Sequence, residues 1–137
     1  MSTTIREAAI EDVWQMRHAV MYPGESIDIV KLEEDANGIH LGMYVDEELV
    51  SVISLFVTGN QLQFRKFATA ISKQGRGYGT QLLLYVMNWA ERNEIKKVWC
   101  NARATATGMY EKMGMRISGN GWKKFGLDFV MMEKYFD

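Results

Sequence analysis

The sequence predicts an α/β protein (α+β in some schemes) in which helices cover the faces of a mixed sheet. Three observations favour this class. Short β-rich runs occur both early and late in the chain, amphipathic helical patterns separate several of them, and turn signals join the others. The predicted order of elements is β-α-(α)-β-β-β-α-β-α-β-β.

The first half of the chain has a strand, a helix and a three-stranded meander. "TTIREA" predicts a short strand, and the apolar spacing of "AIEDVWQMRHAVM" predicts a helix that "YPGES" ends. The segment 28–36 is either a short helix or an ordered loop. "HLGMYV" and "ELVSVISLFV" predict a hairpin joined at Asp46–Glu48, and the turn at Gly59-Asn60 leads into a strand at 61–70.

The second half alternates helices and strands before it ends in two strands. Apolar residues at helical spacing after the glycines predict a helix: Leu82, Leu83, Val86, Met87 and Ala90. "KKVWCNA" predicts a buried strand, and "TATGMYEKMGM" a short helix that Gly114 caps. The last two strands are expected at 115–123 and 127–135.

Size and composition indicate a single domain, residues 1–137. A chain of this length buries roughly 68% of its unfolded surface, which suffices for a core. The net charge of −1 argues against a nucleic-acid partner, and the apolar runs are too short to span a membrane. The lone Cys100 excludes an internal disulfide and fits a reducing compartment. With no secretory signal in the first residues, the expected location is cytoplasmic.

The segment "QGRGYGT", residues 74–80, has three glycines at alternate positions. Its spacing fails the G-x-G-x-x-G pattern of dinucleotide sites, and it lacks the Lys-Ser/Thr pair of a Walker A loop. One remaining interpretation is an anion cradle, in which backbone N–H groups and a helix N-terminus converge on one point. The other is a glycine-rich turn without a ligand. The heptapeptide alone leaves both open.

The surrounding residues resemble a known family. Gln74-x-x-Gly77-x-Gly79 is similar to the [RQ]-x-x-G-x-[GA] loop of the GNAT N-acetyltransferases, and "ATATGMYEKMGM" resembles their A-x-x-x-Y-x-K-x-G-F segment, with Met115 where Phe is usual. The likeness covers residues 61–118. It implies a mostly antiparallel mixed sheet of six to seven strands with about four helices, and an acyl-CoA-dependent N-acetyltransferase activity.

A narrower likeness points to the glyphosate N-acetyltransferase subgroup. "RHAVMYP", "HLGMYVDEELVSVISL", "FRKFAT" and "WCNARATATGMYEKMGM" resemble its L-R-x-x-V/I-L-R-P, H-L-G, Q-L-R-G-M-A-T and L-W-C-N-A-R-x-x-A-x-G-F/Y-Y segments. This chain has Ile71 where the subgroup usually has Pro, and Gln74 where it often has Arg. We therefore expect a less rigid loop with one charge fewer.

The resemblance implies acetyl-CoA as the acetyl donor and no metal. Its pyrophosphate would bind at Gln74, Gly75, Arg76, Gly77, Tyr78, Gly79 and Thr80. The pantetheine arm would lie along Phe67, Ala68 and Thr69 and meet Asn101, which is otherwise a strand-end cap. Tyr110 would be the general acid that protonates the leaving thiolate; without the alignment it would be a half-buried aromatic.

For the acceptor, the resemblance implies three arginines that face an anionic group: Arg17, Arg65 and Arg103. The alternative is that each makes an ordinary ion pair. Asp128 occupies the position of the subgroup's histidine. It would be the catalytic base if burial raised its pKa, or it would bind the ammonium while water takes the proton, with His18 and His40 as other candidates for the base. Cys100 is expected to be a packing residue.

The predicted function is acetyl transfer from acetyl-CoA to the primary amine of a small, anionic acceptor. The transfer is expected to be direct, within a ternary complex. Acetylation of a peptide or protein amine, a non-catalytic acyl-CoA sensor and a ligand-free scaffold remain as alternatives. Members of the family often dimerise, so the resemblance also allows a homodimer.

Overall fold

The computed structural model describes residues 2–137, whose strands form a seven-stranded sheet in the order β1-β2-β3-β4-β5-β7-β6. Only β4 and β5 are parallel neighbours within these residues. The elements are β1 Thr3–Glu7, α1 Ile10–Met21, β2 Ile39–Val45, β3 Glu48–Thr58, β4 Gln61–Thr69, α2 Tyr78–Arg92, β5 Lys97–Arg103, α3 Gly108–Lys112, β6 Arg116–Lys124 and β7 Leu127–Tyr135.

This architecture confirms the predicted fold class and order of elements, with one difference in the helices. There are three α-helices rather than about four, because the segment expected at 28–36 forms two 3₁₀ helices, Ile27–Val30 and Glu33–Asn37. Lys31 and Leu32 between them are extended, with ψ of 128° and 141°, so no α-helix can run through. None of the helices in residues 2–137 has the length and apolar character needed to span a bilayer.

Two hairpins use the turn that fits twisted strands best. Asp46 and Glu47 join β2 to β3 with φ of 50° and 69°, and Phe125 and Gly126 join β6 to β7 with φ of 52° and 74°. Positive φ at both central residues is the mark of a type I′ turn, whose twist matches that of the flanking strands. The register of both hairpins is therefore fixed locally.

The helices bury opposite faces of the sheet. Val52 and Ile53 are adjacent on β3 and so point to opposite faces. Val52 packs with Val13 of α1, whereas Ile53 packs with the apolar face of α2. That face consists of the residues predicted for it, all at most 3% exposed: Leu82, Leu83, Val86, Met87 and Ala90.

The strands β4 and β5 separate after a short parallel stretch. Their pairing is limited to Gln61–Gln63 of β4 and Lys97–Trp99 of β5. Beyond it, β4 continues beside β3, and β5 continues beside β7. The inner backbone edges of β4 and β5 therefore diverge and leave a wedge-shaped opening in the middle of the sheet.

Candidate active site

The glycine-rich segment lies between β4 and α2, at the wide end of this opening. Gly75 and Gly77 have φ of 79° and 83°, a conformation that side-chain-bearing residues rarely adopt. A Cβ added to either would meet no heavy atom within 4 Å, so open space lies over both. Gly77 is the N-cap of α2 and supplies no side-chain acceptor. The first N–H groups of α2 therefore remain available to an anion.

A cleft of about 530 Å³ opens over this segment. Most of the predicted donor-binding residues line it, namely Phe67, Ala68, Thr69, Gln74, Gly75, Gly77, Tyr78, Gly79, Thr80 and Tyr110. Arg76 is exposed and does not line the cleft, and Tyr78 is only 8% exposed because its ring belongs to the core. Lys73 adds a positive charge to the lining.

Gly79 permits the close approach of α2 to β4. A Cβ at this position would lie 3.2 Å from Thr69 Oγ1 and 3.3 Å from Phe67 Cζ. The Gln74 side chain donates a hydrogen bond of 3.0 Å to the Thr69 carbonyl, which ties the loop to the end of β4. The loop is thus held against the strand whose edge forms one side of the opening.

A β-bulge interrupts β4 at Lys66 and Phe67. The pairing with β3 steps from Ser54–Arg65 to Val52–Ala68, so two residues of β4 oppose one of β3. Lys66 has φ of 53°, the left-handed conformation that such bulges usually reserve for glycine. The bulge redirects the strand at the point where it faces the opening.

A second cleft, of about 550 Å³, continues from the first between the diverging strands. The two share Val20, Phe67, Ala106 and Tyr110. The remaining lining residues are Met21, Tyr22, Gln63, Phe64, Arg65, Lys66, Cys100, Asn101, Ala102, Arg103, Leu127 and Phe129. This lining has three cationic side chains and no carboxylate.

Tyr110 lies where the two clefts meet, and the end of α3 fixes its position. The N–H groups of Met113 and Met115 donate to its carbonyl at 3.1 and 3.0 Å, and Gly114 has φ of 90°, which confirms the predicted glycine cap. Its ring packs 5.8 Å from that of Phe64. Burial, with a smaller contribution from Cys100, raises the pKa of Tyr110. The phenol therefore stays protonated at neutral pH.

Cys100 lies on β5 at the floor of the second cleft and is only 2% exposed. Burial raises the pKa of its thiol to about 12. Since the thiolate is the nucleophilic form, this cysteine is not activated for attack. Its place among core residues agrees with the expected packing role.

Comparison with known proteins identifies the family. A model of the acetyltransferase (GNAT) domain matches residues 16–136. The chain belongs to the GNAT acetyltransferase family. It is therefore an N-acetyltransferase, an enzyme that depends on an acyl-CoA.

Individual GNAT proteins agree with this assignment. The uncharacterized N-acetyltransferase YitI of Bacillus subtilis is 29% identical over 134 residues, which cover 91% of this chain and 85% of YitI. Two solved structures share the fold across 98% of this chain. A candidate N-acetyltransferase from Lactobacillus plantarum has a TM-score of 0.86 at 22% identity and is covered to 99%. A GNAT acetyltransferase from Elizabethkingia anophelis with acetyl-CoA bound has a TM-score of 0.76 at 18% identity and is covered to 98%.

In this GNAT domain, Arg17 does not reach either cleft. Its side chain is fully buried and donates to both oxygens of Asp35, at 2.8 and 3.0 Å, to Ser54 Oγ and to the Val30 carbonyl. Only its Nε is buried without a partner. The prediction that Arg17 faces the acceptor together with two other arginines is therefore wrong for Arg17. Its guanidinium instead makes a structural ion pair, which was the alternative interpretation.

The Asp35 carboxylate is the centre of a wider network. Burial acts to raise its pKa, but hydrogen bonds from Arg17, Trp14 and the Leu32 N–H outweigh this and lower the pKa to about 2. His40 joins the same network through Ser54 Oγ at 2.7 Å and the Asp35 carbonyl at 2.9 Å. His40 thus orients and packs this region and lines neither cleft.

The other two arginines and the candidate bases have different positions. Arg65 and Arg103 line the second cleft, and Arg65 also pairs with Glu34 at 3.2 Å. Asp128 is exposed and pairs with Lys123 at 2.9 Å, while its neighbours on β7 face the cleft. Asp128 therefore lacks the burial that the role of base required. His18 contacts the Glu25 carbonyl at 2.6 Å and lines neither cleft.

Lys66 and Tyr22 were not among the residues expected from the sequence, and they face each other in the lining of the second cleft. Lys66 Nζ lies 5.4 Å from the centre of the Tyr22 ring. A signal for Lys66 was present in the motif comparison: the subgroup segment Q-L-R-G-M-A-T has glycine where this chain has lysine. Nothing comparable marked Tyr22, which simply ends α1.

Proposed function

We propose that this N-acetyltransferase transfers the acetyl group of acetyl-CoA directly to the primary amine of a small acceptor that carries an acidic group. The observation that carries the proposal is the continuity of two clefts at Tyr110. One cleft is lined by the glycine-rich loop and the other by cations. The first suits a phosphorylated donor, and the second suits an anionic acceptor.

The residues of the loop fit the pyrophosphate of acetyl-CoA. Open space over Gly75 and Gly77 and free N–H groups at the start of α2 favour a bound anion, while Lys73 in the same lining pairs with Glu48 at 3.6 Å. The edge of β4 at Phe67–Thr69 has no strand partner among the described residues on the side of β5, and its backbone groups other than the Thr69 carbonyl, which accepts from Gln74, suit the amides of pantetheine. Asn101 lies across the opening on β5.

Acetyl-CoA supplies an activated thioester, and the protein supplies a proton donor beside it. The Tyr110 phenol is protonated at neutral pH, and its position at the junction of the two clefts suits a proton donor to the leaving sulfur. Cys100 stays a thiol under the same conditions, which favours direct transfer over a cysteine-bound intermediate. The ammonium of the acceptor would lose its proton to water, since Asp128 points elsewhere.

The acceptor side supports a small anionic molecule. Its volume of about 550 Å³ is typical of a small-ligand site. Arg65, Lys66 and Arg103 provide positive charge, and apolar contact is available on Leu127 and Phe129. The resemblance to the glyphosate N-acetyltransferase subgroup favours the same class of acceptor, although Arg17 and Asp128 depart from the roles that it implies.

The test combines binding with turnover. Titration of acetyl-CoA should raise the melting temperature. Thiol release should then be measured with short peptides and with a panel of small primary amines, paired so that each acidic member has a neutral analogue. Faster release with the acidic members supports the proposal. No thermal shift at millimolar acetyl-CoA would overturn the donor assignment, and release only with peptides would overturn the small-acceptor assignment.

A further inference from the structure

Lys66 combines a costly backbone conformation with a place in the acceptor cleft. A residue with a side chain at φ of 53° is strained, and the surrounding structure must offset the cost. Glycine would adopt this bulge conformation without that cost. The side chain of Lys66 extends from this position into the lining of the cleft between β4 and β5.

The Lys66 ammonium has no carboxylate to neutralise it. Among residues 2–137, no acidic oxygen lies within 4 Å of Lys66 or of Arg103. Glu34 is occupied with Arg65, and Asp35 with Arg17. The Tyr22 ring, 5.4 Å away, is the aromatic neighbour of the ammonium. This cleft therefore holds uncompensated positive charge at a half-buried position.

The surroundings of Lys66 reinforce this imbalance. Burial, and then the positive charges of Arg65, Arg17 and Lys124, lower the pKa of the Lys66 ammonium, with Asp35 opposing them. Arg17 and Arg65 have their own carboxylate partners, so in the described part of the chain Lys66 is the half-buried cation of this cleft that lacks one, and such a charge is unfavourable until an anion joins it. A bound carboxylate or phosphate would offset this repulsion and make charge-assisted hydrogen bonds.

We propose that Lys66 binds the acidic group of the acceptor and determines the preference for acidic amines. This inference rests on the proposed function and adds the residue that sets its acceptor specificity. The group recognised is an anion with at least two oxygens, either a carboxylate or a phosphate. Lys66 is thus a specificity residue whose side chain contacts substrate, and the bulge is the device that aims it.

Four variants test the assignment. Lys66→Gln removes the charge and keeps the backbone strain, Lys66→Gly removes both, and Lys66→Arg keeps the charge. The matched control is Lys96→Gln, which removes an exposed cation immediately before β5, outside the cleft. The acceptor pairs are phosphoethanolamine with ethanolamine, and glycine with glycinamide, so that the phosphate and carboxylate arms are separate.

The expected result is a loss of preference without a loss of fold. Lys66→Gln and Lys66→Gly should lower the ratio of kcat/KM for the acidic member of a pair to kcat/KM for its neutral member roughly 10- to 100-fold, since a hydrogen bond to a charged group is lost. Lys66→Arg should retain most of the preference, and Lys96→Gln all of it. Lys66→Gly should melt at or above the wild-type temperature, because the strain is relieved.

Other outcomes overturn the inference. An unchanged preference in Lys66→Gly, with acetyl-CoA still bound, would make Lys66 irrelevant to the acceptor while the proposed function stood. An acetyl group found on Lys66 after incubation with acetyl-CoA alone would make it an acceptor instead. A further contrary result would be that phosphoethanolamine and glycine each fail both to react and, at about 10 mM, to shift the melting temperature of the CoA-loaded protein. That result would contradict an anion-binding subsite at Lys66. If acetyl-CoA did not raise the melting temperature of the wild-type protein, the proposed function itself would be contradicted.

Discussion

Arg17 of α1 and Asp35 of the second 3₁₀ helix form a bidentate ion pair inside the protein, with N–O distances of 2.8 and 3.0 Å. The same guanidinium reaches Ser54 on β3 and the carbonyl of Val30. One side chain thus joins three separate parts of the chain. Glu34 adjoins Asp35 and contacts Arg65, so the pair also positions one edge of the second cleft.

Asp35→Asn should strongly destabilise the protein at neutral pH. The substitution leaves the Arg17 guanidinium buried without its counter-charge, which typically costs about 3–5 kcal/mol. Urea unfolding measures the change. Asp28→Asn is the matched control, because Asp28 pairs with Lys31 in exposed positions and should change the free energy of unfolding by at most about 1 kcal/mol. Equal losses in both variants would mean that the buried pair adds no stability.

The same carboxylate predicts how stability depends on pH. The pKa of Asp35 is about 2 in the folded protein against an ordinary value of 3.8. Because the folded pKa is the lower one, the stabilisation is complete above about pH 5 and is lost as the pH falls through 3.8 towards 2. It amounts to about 2 kcal/mol. In urea titrations, the stability difference between wild type and Asp35→Asn should narrow over this range; a constant difference would contradict the assignment.

Gly77→Val should weaken acetyl-CoA binding while the domain stays folded. A β-branched side chain at φ of 83° strains the loop and fills the open space over it. Gly59→Val is a matched control with φ of 60° and similar open space, placed in the β3–β4 turn. Both variants should lose a few degrees of melting temperature. Only Gly77→Val should lose the stabilisation by acetyl-CoA, and if it kept this shift the loop would not be the anion site.

Tyr110→Phe should lower kcat roughly 100-fold and leave KM for acetyl-CoA within about a factor of two, because only the proton donor is removed. Thiol release at saturating substrates measures both constants. Tyr85→Phe is the control, since Tyr85 is a half-buried tyrosine on α2 that lines neither cleft. Because burial raises the pKa of Tyr110, wild-type turnover should not fall from its ionisation between about pH 7 and 10. Equal turnover in Tyr110→Phe would remove the tyrosine from the chemistry.

Patterns within short stretches of sequence predicted the helices and strands. They could not predict contacts between residues that lie far apart in sequence. The spacing of apolar residues in α2 and the glycine cap at Gly114 are short-range features, and both were predicted. Arg17 has helical spacing too, but nothing in the sequence links it to Asp35, which lies 18 residues away. The prediction therefore assigned its charge to a substrate instead of to a buried carboxylate.

The position of Asp128 was missed for a similar reason. Motif alignment gave its place along the chain, whereas strand alternation determines which face it occupies, and the alignment alone could not determine that. The bulge at Lys66 was not predicted either, because it too depends on a neighbouring strand. A two-against-one step between strands depends on the partner strand, and the run "QLQFRKFAT" reads as uninterrupted strand.

The parting of β4 from β5 also bears on how the protein avoids aggregation. Unpaired strand edges are templates on which another chain can add a strand. Here two such edges lie within the sheet and face each other across an opening too narrow at its base for a third strand, because the two strands are still paired there. A strand of another chain therefore cannot pair along the full length of these edges, whereas a narrow ligand can enter from the wide end and hydrogen-bond to them.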